Sequence, residues 1–327
     1  MKNKKFLSII IPIFNNPKDI LDLMNSIKVS NLKNIEIIVI DDGSKPKLQN
    51  NLKKFKTKYR YIKNSGPAYA RNYGARISSG KFLLFIDSDL ILPKKFLEKL
   101  IFFLKKENIK VGSIIYGIKS NLDNIFSQYK AFFDYFNISA KLNKKKDKVL
   151  IGSSCVFERN FFFKNKGWNE NIRTPSIEHE EFAKRLRNKN IIRIKNFYVE
   201  HKFPTGKQLF KIIFLRSRDW VYSKLDKQIE FDGLSRTKAT GFFSLQPILL
   251  FFLILLFLIY NNFSLYFSLI PITLFLLGNL DFFKFLYKKD KTINLIKYII
   301  IHFFFCFSVS LGALLGLLNY SFYRIFK

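Results

Sequence analysis

The chain has 327 residues, room for one large domain or two smaller ones, and 48% of them are apolar, Phe alone contributing 39. Its net charge of +32 comes without a zinc-finger or RNP-like signature or a base-reading basic helix, so no nucleic acid partner is expected. Cys155 and Cys306 lie far apart in unlike surroundings, which argues against a disulfide framework or a Cys-based metal site. Residues 242–327 carry +5 and the first 241 carry +27. With long uncharged runs next door, that excess suits attraction to an anionic leaflet. Met1-Lys-Asn-Lys-Lys and the run after it are too short in apolar residues for a signal peptide.

Phe6 to Phe14 is a β-branched apolar run ended by Asn15-Asn16-Pro17, a strand leading into a turn. Between Asp19 and Lys28, Ile20, Leu21, Met24 and Ile27 fall at helical spacing. Ile35 to Ile40 reads as a second buried strand that exits into Asp41-Asp42-Gly43-Ser44. A helical segment and a short strand near Tyr59 to Ile62 follow. Gly66-Pro67 opens a helix that carries Arg71 and runs to about Ser78, and Ser79-Gly80 closes it. Phe82 to Ile86, five apolar residues in a row, ends abruptly in Asp87-Ser88-Asp89. Such a run belongs inside a parallel α/β sheet, and the alternation implies right-handed crossovers. Ligands of such sheets bind beyond the carboxyl ends of the strands. Two carboxylates spaced i, i+2 there can share one hard divalent cation, with diphosphate oxygens completing its shell. Separately these motifs read as ordinary turns and surface residues; their conjunction points to a site.

The segments SIIIPIFNN, IEIIVIDDGS, GPAYARNYGARISSG and KFLLFIDSDLILP, in this order, resemble the nucleotide-binding half of glycosyltransferase family 2, a GT-A fold. The resemblance runs on through Ile151–Arg159, Lys166–Glu170 and Glu178–Leu186 and ends near His201. It implies a nucleoside-diphosphate sugar as donor. Pro12, Asp41 or Asp42, and Arg71 would lie on the donor side, with Asp87 facing the ribose. Asp89, with Asp87 and His201, would hold Mg²⁺ or Mn²⁺ on the diphosphate. Gly152, Gly167 and Trp168 would line the acceptor side, Trp168 as a sugar-stacking platform or as core. The general base of an inverting transfer would lie at Glu178-His179, where His stands in place of the family's usual Asp. Glu178, with its pKa raised, is the first expectation; His179, Glu180 and Glu181 are the others. The plain alternative is an acidic first turn complementing a helix dipole.

Residues 203–240 interleave Leu209, Ile212, Ile213 and Leu215 with Lys207, Lys211, Arg216 and Arg218, which suits an interfacial helix. Arg216-Ser-Arg218-Asp-Trp220 does not match the Gln-x-x-Arg-Trp of processive synthases, so transfer of a single sugar is expected. Phe242–Tyr260, Phe263–Leu280 and Tyr298–Tyr323 carry no charged residue beyond His302 and are long enough to cross a bilayer. Asn261-Asn262 reads as a tight hairpin. Lys284, Lys288, Lys289, Lys291 and Lys297 place their loop in the cytoplasm. Gly312 and Gly316 suit close helix packing, within the chain rather than between copies, though a homo-oligomer stays open.

The expectation is therefore an α/β GT-A domain over 1–205 with a mostly parallel sheet, an interfacial linker over 206–241, and a membrane domain over 242–327 with three spans. The activity implied is metal-dependent, inverting transfer to a lipid-linked or envelope glycan at the cytoplasmic face of the inner membrane. A polyprenyl-phosphate glycosyltransferase and a non-catalytic membrane scaffold are the rivals.

Overall fold

The computed structural model describes residues 5–27, 34–120, 122–139, 150–173, 177–186, 191–227, 242–260, 265–290 and 294–325. The expected Asn261-Asn262 hairpin, Lys291 and residues 228–241 of the linker lie outside these. In chain order the elements begin β1 (Leu7–Ile13), α1 (Pro17–Ser26), β2 (Ile35–Asp41), α2 (Gln49–Leu52), β3 (Lys58–Tyr61) and α3 (Pro67–Ile77). Then come β4 (Phe82–Ile86), β5 (Leu90–Ile91), α4 (Phe96–Lys106), β6 (Val111–Ser120) and α5 (Ile125–Ser139). β7 (Ser154–Glu158), α6 (Arg159–Lys164), α7 (Glu178–Arg185), β8 (Ile192–His201) and α8 (Gly206–Leu225) follow. The rest is helical: α9 (Gln246–Ile259), a 3₁₀ turn (Leu265–Ser268), α10 (Leu269–Gly278), α11 (Leu280–Lys289) and α12 (Asn294–Ile325). Two compact units result, Met1–Asn121 with Lys141–Lys202, and Leu122–Ala140 with Phe203–Lys327.

The first unit is built on an eight-stranded sheet of order β3-β2-β1-β4-β7-β6-β8-β5. β3, β2, β1 and β4 are mutually parallel, because helices carry the chain back between them. Beyond β4 the sheet also takes in antiparallel strands, although β6 pairs parallel with β8. β7 pairs antiparallel with both β4 and β6, and β5 antiparallel with β8, so the sheet is mixed. β7 begins beside the end of β4, where Ser154 pairs with Ile86, and runs back along it. Along β4 the side chains alternate between two cores. Leu84 and Ile86 pack with Ile20, Leu23, Leu97 and Leu100 on one face. Leu83 and Phe85 pack with Phe157, Phe162, Trp168 and Phe182 on the other.

The order 3-2-1-4 puts a topological switch between β1 and β4, where doubly wound sheets open a crevice. Pro12 marks its floor. Ile13 gives its carbonyl to Asp42 on the β2 side, so the next residue back points toward β4. Pairing with β4 has already stopped at Ile10↔Phe85. A proline there, lacking an N–H, forfeits no ladder bond.

In the second unit, two helices are long and apolar enough to cross a membrane, Phe242–Ile259 and Asn294–Phe322. Over the expected third span, 263–280, Tyr266–Gly278 and Leu280–Lys289 form a pair bent by 55°, which makes three spans if the bent pair is counted as one. Asn279 leaves the helical region (φ −112°, ψ 8°). Its amide donates to the Phe275 carbonyl at 2.8 Å, and its Oδ1 lies 2.9 Å from His302 Nε2. Tyr129 Oη reaches His302 Nδ1 at 2.7 Å, so α5, α12 and the bend meet on one imidazole.

α8 runs alongside α12, from Phe210 against Phe304 to Tyr222 against Tyr320. A helix packed in this way shares the direction of α12. α8 is thus a packing partner of α12. Glycine permits the approach: a Cβ on Gly312 would lie 2.2 Å from the Phe214 carbonyl oxygen, and one on Gly316 2.5 Å from that of Arg218. Gly316→Leu is expected to lower stability by about 1–3 kcal/mol through overpacking. Leu318→Ala, at an exposed position, should stay within about 0.5 kcal/mol. Thermal melting in detergent that does not separate the two variants would contradict this packing.

Candidate functional site

The β2 exit holds itself together. Asp41, fully buried, accepts from the amides of Ser44 (2.9 Å) and Leu48 (3.0 Å) and from the Tyr59 hydroxyl (2.5 Å). Its carboxylate shapes the turn. Asp42 accepts one bond at each oxygen, from the amides of Ser65 (2.7 Å) and Gly66 (2.8 Å). It thereby holds the loop that opens α3. Burial pushes its carboxyl up, the two amides pull it back, and the charge of Asp41 adds to the rise.

Arg71 projects from α3 into the crevice and is only 3% exposed. Its NH2 donates to Asp87 Oδ1 at 2.7 Å and its NH1 to Glu178 Oε1 at 3.2 Å, and its guanidinium lies 5.2 Å from the centre of the Trp168 ring. Burial works against the charge of Arg71, but Asp87 and Glu178 outweigh it and hold the group protonated. Burial pushes the Asp87 carboxyl up, Arg71 opposes this, and the charges of Asp89 and Glu178 add to the rise.

Glu178 corrects the expectation of a raised pKa. Burial does push it up, yet Arg71 and His179 prevail and keep the carboxyl below its ordinary value. The residue is 4% exposed, and its Oε2 has no hydrogen-bond partner among the described residues. His179 is half-buried, and its Cβ lies 2.8 Å from where a side chain on Gly152 would begin. The adjoining Ser153 carbonyl accepts the Asp87 amide at 2.9 Å. Gly152-Ser153 thus spans from the β4 exit to His179. Glu180 is half-buried on α7, and Glu181 pairs with Arg185 at 2.6 Å, so Glu181 braces the helix.

β5 and β8 bring a second group together. Leu90 pairs with His201, and His201 Nε2 lies 3.3 Å from Asp89 Oδ2. The Tyr116 ring packs at 5.0 Å from the imidazole. Of the two expectations for Trp168, the packing supports core. It is 1% exposed and packs against Phe85 (5.7 Å) and Phe182 (5.1 Å), leaving no face for a sugar. Gly167, at φ +58°, lies against Asn72, where a Cβ would meet Asn72 Oδ1 at 2.6 Å. Asn72, which the sequence did not single out, grips both sides of Trp168: its Oδ1 takes the Trp168 amide at 2.9 Å and its Nδ2 donates to the Trp168 carbonyl at 2.8 Å. The Gly167–Asn171 turn also borders a cleft of about 530 Å³ with Arg76, Lys166 and Arg185 on its walls.

Removing Arg71 would strand two carboxylates. Arg71→Met is expected to destabilise the first unit by about 3–5 kcal/mol, and adding Glu178→Gln should recover part of that. The depressed pKa of Glu178 has a definite pH sign. Its contribution is present above the unfolded value of about 4.3 and is lost as pH falls through the lower folded value. The stability gap between parent and Glu178→Gln should therefore shrink from about pH 6 to about pH 3 in denaturant titrations; a gap that widens on acidification would refute the Arg71–Glu178 account.

Residues 8–165 match the family model for glycosyl transferase family 2. An uncharacterized glycosyltransferase of Rickettsia felis is 31% identical over 166 residues, which cover 49% of this chain and 28% of that protein. Poly(ribitol-phosphate) beta-N-acetylglucosaminyltransferase TarP of Staphylococcus aureus is 30% identical over 172 residues, covering 50% of this chain and 51% of TarP. The aligned stretch thus spans about half or less of each relative. The mannosyltransferase PcManGT of Pyrobaculum calidifontis, solved in complex with GDP-Man and Mn²⁺, superposes with a TM-score of 0.57. The superposition covers 96% of this chain and 88% of PcManGT at 12% identity, a likeness of fold alone. The mixed sheet is GT-A-like, and residues 8–165 are a glycosyltransferase family 2 domain.

Proposed function

We propose that the chain transfers a single sugar, with inversion, from a nucleoside-diphosphate sugar to a lipid-linked or envelope glycan at the cytoplasmic face of the inner membrane. The observation that carries this reading is the convergence of Arg71, Asp87, Asp89 and His201 at the strand exits beside the β1/β4 switch. TarP, by its name a transferase acting on poly(ribitol-phosphate), supports an envelope polymer as the acceptor class.

A divalent cation fits the donor set, although no group of three or more His, Cys, Asp or Glu converges on a metal centre among the described residues. Asp89 and His201 already adjoin at 3.3 Å, an oxygen and a nitrogen donor suited to Mn²⁺ or Mg²⁺. Asp87, beside them, faces a like charge that a cation would relieve. Such an ion, when bound, neutralises charge on the departing diphosphate. The protein's own part is orientation and proton transfer. Arg71 fixes Asp87 at the β4 exit, and Glu178 is spent on Arg71. The depressed pKa of Glu178 makes it a weak base. The acceptor proton therefore goes to His179, since imidazole is the side chain whose chemistry suits proton transfer near neutral pH.

The long apolar helices anchor the enzyme, and Lys284, Lys288 and Lys289 on α11 mark the cytoplasmic side. Cysteine labelling in intact cells should reach Tyr260→Cys from outside and leave Lys289→Cys protected; the reverse pattern would refute this orientation.

The test of function is a panel of nucleoside-diphosphate sugars with extracted lipid, read by mass spectrometry of the product. Asp89→Asn should lose most turnover, since a neutral amide is a poor ligand for a hard cation. His179→Ala should lower transfer by roughly 10²–10⁴-fold while donor binding holds. Transfer at the parent rate in His179→Ala, with Glu178→Gln inactive, would move the base to Glu178. Full activity in both would favour a phosphate acceptor, which needs no base. No donor turnover by the parent would favour a non-catalytic scaffold.

A further inference from the structure

One lysine that plays no part in the transfer scheme connects the strand carrying His201 to α1. Lys202 follows His201 at the end of β8, and its main-chain N–H donates to the Asp89 carbonyl at 3.0 Å. Its side chain, 10% exposed, goes to α1. There Nζ donates to Asp19 Oδ1 at 2.7 Å and to Asp22 Oδ2. Asp19 and Asp22 stand three apart on the helix and so share a face. Burial works against the ammonium, but its bonds to the two carboxylates prevail and raise its pKa, so it stays charged.

The attachment matters because β5 is two residues long and pairs only with β8. So few ladder bonds cannot by themselves fix Asp89, the residue just before β5. On its far side α1 is tied to the β2 exit. Asn16 Nδ2 donates to Asp19 Oδ2 at 2.5 Å, the Asn15 amide donates to Ser44 Oγ at 2.8 Å, and the Ser44 amide is held by Asp41. Neighbouring residues along the chain thus link a series of hydrogen bonds from the turn at Asp41 through α1 to Lys202, and from there to Asp89.

We infer that Lys202 is a positioning residue for a divalent cation: by fastening the end of β8 to α1 it sets His201 and Asp89 as a preformed pair of donors. The inference rests on the metal reading proposed above and deepens it. Groups that orient metal ligands from behind typically contribute 10–100-fold to metal affinity.

The test measures Mn²⁺ affinity of the purified full-length protein by electron paramagnetic resonance of the free ion, without turnover. Lys202→Met keeps the length of the side chain and removes its charge; it is expected to weaken Mn²⁺ binding by about 10–100-fold. Lys202→Arg, which can still bridge two carboxylates, should recover most of that affinity. Asp22→Asn, far milder for folding, should shift affinity the same way by a smaller factor. It keeps the question answerable if Lys202→Met fails to fold. Parent-like Mn²⁺ affinity in Lys202→Met or, failing that protein, in Asp22→Asn overturns the role of Lys202 and leaves the metal reading standing. A loss in Lys202→Met that Lys202→Arg does not rescue, accompanied by an equal fall in melting temperature without metal, also overturns it. A parent that binds no Mn²⁺ overturns the metal reading and this inference together.

Discussion

The buried guanidinium of Arg71, gripped by Asp87 and Glu178, is the constraint on which the first unit's site depends. A charge taken out of water is costly unless it is paired and hydrogen-bonded. The three side chains therefore require one another, and each comes from a different element: mid-α3, the β4 exit and the first residue of α7. Such a triad is weak evidence for stability, since apolar groups of the same volume often do as well. What it supplies is position. Fixing the first residue of α7 to the end of β4 sets His179 beside Gly152, one residue from the carbonyl that holds the Asp87 amide.

How far the sequence can be read follows from where burial is two-sided. β1, β2 and β4 are apolar runs of five to seven residues, and runs so short and so apolar, bounded by turn residues, are typical of strands covered on both faces. β6 and β8 are not visible in this way. Gly112, Ser113, Gly117 and Lys119 interrupt the first, and Arg193, Lys195 and Asn196 the second. Trp168 shows a different limit. Stacking platform and core residue look alike in a sequence, and only the convergence of Phe85, Phe157 and Phe182 decides between them. The pKa of Glu178 is hidden for the same reason: its partner lies 107 residues away in the chain.

Hydropathy counts residues and ignores faces, and the second unit shows what that hides. A 26-residue run without a formal charge reads as a plain span, yet its His302 is buried and bonded to Tyr129 and Asn279. α5 belongs to that unit because Tyr129, Phe133 and Phe136 pack with Phe282, Phe305 and His302. No shift in composition separates it from the sheet residues on either side. The glycine pair on α12 is legible as a close approach, but the partner surface on α8 is not, because basic residues dominate the look of that segment.

The charge at the strand exits has a definite sign. Asp87 and Glu178 share a single guanidinium, which leaves one negative charge, and Asp89 adds another. Asp41 and Asp42 are satisfied by backbone amides and a hydroxyl, which bring no positive charge. Lys202, a nearby cation among the described residues, is committed to Asp19 and Asp22. Among the described residues these side chains leave net negative charge in a partly buried setting, where screening by water is weak, and the proposed diphosphate would face it. Two anionic partners can associate closely there only with a cation between them. This negative charge is what the divalent cation of the proposed function would offset.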